Sequence, residues 1–133
     1  MAAAFLKALR NVTTALRMSY QLFGVAFGYA SGGTVTQATN KTTAFTLDQV
    51  SGRIIFASGA LAAWTASSAT WTNSFIGSFD IIAFHQNSGT AGAYGFRFDC
   101  ANGTCTVWIN NTSSTSLNEA VALEFAIIKG SRG

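Results

Sequence analysis

Residues 94–111 read YGFRFDCANGTCTVWINN, two alternating runs joined by Asn102-Gly103. In an extended chain successive side chains point to opposite faces, so Tyr94, Phe96 and Phe98 share one face and belong to a core. An Asn-Gly pair between two such runs is a strong short-range hairpin signal, because the turn needs a residue that accepts left-handed backbone. Two antiparallel neighbours are therefore expected on either side of 102–103.

Outward from this hairpin the pattern persists. Val121, Leu123, Phe125 and Ile127 alternate in the same way and form a second core set. From Gly33 onward β-branched and aromatic residues dominate, and clusters of Gly, Ser, Asn and Thr recur about every ten residues. Strands are expected at Thr34–Ala38, Thr43–Leu47, Arg53–Ala57, Ala69–Ile76, Asp80–Gln86, Ala93–Cys100, Thr104–Asn110 and Ala120–Lys129. That many strands in roughly a hundred residues predict an all-β domain over 32–133, an antiparallel β-sandwich of jelly-roll type. The Cys-Trp-Cys spacing of immunoglobulin domains is missing.

Before Gly33 the period changes. Phe5, Leu9, Val12, Leu16, Phe23 and Phe27 recur at spacings of three, four or their sums, which predicts an amphipathic N-terminal helical arm over 1–31, ended by Gly32-Gly33. A secretory leader would also place Lys7, Arg10 and Arg17 before an apolar run ending at Ala30-Ser31, but Ser19 and Gln21 interrupt that run. No uninterrupted apolar stretch reaches the roughly 20 residues a membrane span needs. The arm is expected to dock on a partner, with Phe5, Leu9, Val12, Leu16, Phe23 and Phe27 making contact and Lys7, Arg10 and Arg17 steering it.

Only 10% of the 133 residues are charged, whereas 49% are apolar. A typical chain is charged at about a quarter of its positions, so this surface must consist of Ser, Thr, Asn, Gln and Gly. Neutral polar surface is cheap to desolvate and suits permanent contacts. A net charge of +3, spread over dispersed Lys and Arg, argues against nucleic-acid binding.

Catalytic readings find little support. His85 is the sole histidine, and with so many hydroxyls in the chain a Ser or Thr near it is expected by chance. Asp80 and Asp99 would be needed as a glycosidase carboxylate pair, without a supporting motif. Cys100 and Cys105 flank the turn and are expected as free thiols; with one distant His they make too small a set for a metal site. No enzyme activity, cofactor or metal is expected. Trp64, Trp71 and Trp108 are read as core or contact residues, the rival being a lectin-like module that stacks sugars on them and binds a host glycan.

The run Gly32-Gly33-Thr34-Val35-Thr36-Gln37-Ala38-Thr39-Asn40-Lys41-Thr42-Thr43 resembles the opening signature of small structural proteins of tailed-phage and prophage particles. Further pieces are similar in the same order: Gly52-Arg53-Ile54, Ala60-Leu61-Ala62-Ala63, Thr72-Asn73-Ser74-Phe75, Ser88 to Tyr94, Ser116 to Val121 and Phe125 to Gly130. The resemblance leaves out 1–31 and carries no catalytic residues. It implies a non-enzymatic virion protein: a homotrimeric capsid decoration (cement) or head-fibre subunit on the capsid surface, its arm seizing the major capsid protein or another virion protein. A tail-fibre or tail-adaptor component is the variant reading, and neither nucleic acid nor membrane is an expected partner.

Overall fold

A computed structural model of the protein describes residues 3, 4 and 32–130. Eight strands follow one another: β1 (Gly33–Thr36), β2 (Phe45–Thr46), β3 (Ser51–Phe56), β4 (Ala66–Thr72), β5 (Ile81–Gln86), β6 (Tyr94–Ala101), β7 (Thr104–Asn111) and β8 (Val121–Ile128). They form two four-stranded sheets, a first in the order β1-β3-β8-β5 and a second in the order β2-β4-β7-β6. Each expected strand has a counterpart, but β4 starts three residues earlier and ends at Thr72, after which 73–76 turn, and β2 is only two residues long. Apart from residues 3 and 4, the predicted arm lies outside the described residues.

One expectation needs correcting: the sheets are mixed, not wholly antiparallel. β1 runs parallel to β3, and β2 parallel to β4. The cause is connectivity. From β1 to β6 the chain changes sheet at every step, so strands adjacent in a sheet are separated by an excursion through the other one. Such an excursion permits either direction, whereas a tight turn enforces reversal. The expected hairpin supplies that turn once, between β6 and β7, where Ala101 pairs with Thr104 and Gly103 takes φ 79°.

Inward side chains of both sheets enter one core. Ile54 and Phe56 on β3, Trp71 on β4, Val107 and Ile109 on β7, and Val121 and Leu123 on β8 are all fully buried. Burying a side chain such as Phe56 contributes about 1.5–3 kcal/mol. Rings bridge the sheets: Trp71 meets Phe125 edge-on with centroids 4.5 Å apart, and Phe56 stacks on Phe96 at 6.0 Å. The indole N–H of Trp71 donates to the Leu47 carbonyl at 3.1 Å, so its one polar atom is satisfied inside the core. Along the β5/β6 edge the closure is looser, and Phe84, in contact with Phe96 and Phe98, remains half-exposed.

Candidate functional site

Residues 32–43 clasp β1 against β3 and against the segments at 57–59 and 119. Gly33 pairs with Gly52 across β1 and β3, and a Cβ on Gly52 would lie 2.4 Å from the Gly33 carbonyl oxygen, so the strands approach this closely only through glycine. Gln37 is buried; its amide donates to the Thr43 carbonyl at 2.7 Å and its oxygen accepts from the Ala57 amide at 3.2 Å. Asn40 Oδ1 accepts from the Thr42 amide at 3.0 Å, folding the 40–43 turn onto itself. Lys41 is buried too, and its ammonium donates to the carbonyls of Ala57, Gly59 and Glu119 at 2.9, 2.9 and 2.8 Å. Burial pushes its pKa down from the usual value, and the Glu119 charge opposes that. One cation thus ties three loops together.

The outward face of the first sheet carries Ile55 on β3, Ala122, Ala126 and Ile128 on β8, and Ile81 and Ala83 on β5. Ile81 is 61% exposed, and Phe79 (51%) and Phe75 (44%) lie in the loop leading to it. Lys129 reinforces this end, donating to the Phe75 carbonyl and to Asp80. Burial alone would raise the Asp80 pKa, but Lys129 and the amides of Gly130 and Gly77 hold it below the usual range.

Across the same face runs a groove of about 400 Å³ lined by Gly32, Ser51, Gly52, His85, Glu124 and Ala126, among others. His85 stands opposite Glu124 on the neighbouring strand. A triad would require that carboxylate to orient the imidazole. Instead, Glu124 Oε1 accepts from Arg53 Nε at 2.6 Å and from Asn87 Nδ2 at 2.9 Å, and His85 makes no side-chain hydrogen bond among the described residues. Ser51 Oγ is buried and makes no hydrogen bond among the described residues. The groove gathers residue types of hydrolytic chemistry without connecting them.

The outward face of the second sheet has a different character. β4 contributes Ser68, Thr70 and Thr72, β7 contributes Thr104, Thr106, Trp108 and Asn110, and β6 contributes Gly95, Arg97 and Asp99. Trp108 lies between Ser68 and Arg97. Its Nε1 donates to Asp99 Oδ2 at 2.9 Å, Arg97 Nη2 donates to the same oxygen at 2.7 Å, and the guanidinium carbon sits 4.8 Å from the indole centroid. Ring, cation and carboxylate hold one another in place.

The three tryptophans part company. Trp71 is core, Trp108 is half-buried in this polar face, and Trp64 is 71% exposed on a loop at φ 57°, a strained backbone for an aromatic residue. Asp80 and Asp99 are each committed to a local basic partner, Lys129 and Arg97. Cys100 and Cys105 pair across the hairpin as free thiols with sulfurs 3.3 Å apart, and burial pushes the Cys105 thiol far up from its usual pKa. The described residues hold no cluster of three or more His, Cys, Asp or Glu able to bind a metal ion, and no helix among them is long and apolar enough to cross a membrane.

The expected arm contacts, Phe5, Lys7, Leu9, Arg10, Val12, Leu16, Arg17, Phe23 and Phe27, lie outside the described residues. Arg97 was not singled out from sequence, and Asp99 only as a possible glycosidase carboxylate, although the signal for their pairing beside Trp108 was there: counting back from the 102–103 turn puts 97 opposite 108. No protein-family model matches the chain, and no curated protein or solved structure matches it either.

Proposed function

We propose that this is a non-enzymatic structural protein of a tailed-phage particle, a homotrimeric capsid decoration or head-fibre subunit. Its two sheets act as a jelly-roll-like sandwich, and its N-terminal arm binds another virion protein. The observation that carries this reading is the outward face of the first sheet, where Ile81 is exposed, as are Phe79 and Phe75 in the loop before it, in a chain with so little charge. Apolar surface left open on a folded unit favours association, and a surface poor in charge lowers the desolvation cost. The resemblance of 32–130 to phage structural proteins supports the same conclusion.

Sedimentation equilibrium of the full chain, together with peptide mass spectrometry of purified particles, tests it. A mass of about three times 13.9 kDa and stoichiometric presence in particles are expected. A monomer at micromolar concentration that is absent from particles overturns the proposal.

A further inference from the structure

The second sheet presents a surface unlike the first. At its centre is the half-buried Trp108 ring with the Arg97 guanidinium over it, and around the ring are polar groups without partners among the described residues. The hydroxyls of Ser68, Thr70 and Thr106 and the carboxamide of Asn110 make no side-chain hydrogen bond among the described residues, and of the Asp99 carboxylate only Oδ2 is engaged, by two hydrogen bonds.

We propose that this face is a carbohydrate site, with a neutral pyranose stacked against the part of the Trp108 ring that Arg97 leaves uncovered and its hydroxyls bonded to Asp99 Oδ1, Asn110 and Ser68. A sugar ring offers an apolar C–H face rimmed by hydroxyls that both donate and accept, so its complement is an aromatic surface ringed by unshared donors and acceptors. Ser68, Trp108 and Arg97 occupy three neighbouring strands, which span about 10 Å at the usual strand separation, a width that suits a short oligosaccharide. The bonds from Trp108 and Arg97 to Asp99 set ring and carboxylate before ligand arrives, so little ordering cost remains on binding. Arg97 and Asp99 cancel each other's charge, which selects neutral over acidic sugars.

A protein partner fits this face less well, because the centre of a protein interface is depleted of charge and built on apolar area.

The test uses the full chain, titrated with soluble mannan, dextran and galactan, and with alginate as the acidic comparison, followed by affinity electrophoresis and tryptophan emission. Saturable binding to at least one neutral polysaccharide is expected, with a change in emission. Trp108→Ala should weaken it at least tenfold and Asp99→Asn several-fold, while Trp64→Ala leaves it unchanged. Circular dichroism checks that each variant folds; should Trp108→Ala fail to fold, Asp99→Asn and Asn110→Ala decide. Absence of saturable binding to any neutral polysaccharide, binding confined to alginate, or binding undiminished in the folded variants overturns the assignment. Self-association and presence in particles are separate readouts, so either proposal can fail alone.

Discussion

Lys41 shows how much one side chain can hold. Its ammonium satisfies three carbonyls from segments 16, 18 and 78 residues away in the chain. Lys41→Met keeps the apolar stem but leaves those acceptors unpaired in a buried site, where an unsatisfied group costs about 1–3 kcal/mol. A loss of about 3 kcal/mol in urea unfolding is the expected outcome, and a change under about 0.5 kcal/mol would show the clasp to be dispensable. The carboxylates provide the second residue-scale prediction. Hydrogen bonds from Ser74 hold Asp48 below its usual pKa; bonds from Thr90 and Tyr94 do the same for Glu119 against the effect of burial, and Asp80 is also depressed. A folded pKa below the unfolded value means that the folded state binds the proton less readily. The stability these groups contribute is therefore complete above the unfolded values of 3.8 and 4.5 and is lost as pH falls through the lower folded values. The thermal midpoint should be flat from pH 7 to 5 and drop in more acidic buffer, with a smaller drop in Glu119→Gln.

Among the elements, β1 and the β6–β7 hairpin behave oppositely. β1 is four residues long and attached along one side only, and its approach to β3 relies on Gly52. Gly52→Ala puts a methyl group into the Gly33 carbonyl and should release β1: amide exchange at Val35 and Gln37, which lie in or beside the paired segment, rises at least tenfold while exchange in β7 is unchanged. Uniform protection in the variant would show that the backbone shifts to accommodate the methyl. The hairpin, in contrast, is locally specified. Alternation, the Asn-Gly turn and the register follow from consecutive residues, so Tyr94, Phe96 and Phe98 on one face and Arg97 and Asp99 on the other could be read before any tertiary contact was known. The parallel pairing of β1 with β3 could not, since it depends on β2 joining the other sheet.

At the scale of the molecule, the two proposals use different faces. The proposed self-association uses the outward face of the first sheet, and the proposed sugar site uses the hydroxyl-rich face of the second. Attachment is proposed for the expected N-terminal arm. Residues 32–130 contain all eight strands and their shared core. Deletion of residues 1–30 should therefore leave a folded trimer, judged by sedimentation, that no longer binds particles in a pull-down with purified capsids. A truncated protein that still decorates them would remove the arm from the mechanism.

The number and order of strands, the hairpin and the two alternating core sets were determined by the sequence alone, because each depends on side-chain period and turn chemistry within a few consecutive residues; the bounds of β2 and β4 were not. The tertiary structure decided which strands became neighbours, that Lys41 would be buried among carbonyls, that Glu124 would bond Arg53 and Asn87 rather than His85, and that Trp71 would be core while Trp108 faced outward beside Arg97 and Asp99. Those outcomes join residues far apart in the chain, and their geometry exists only once two sheets have closed on one core.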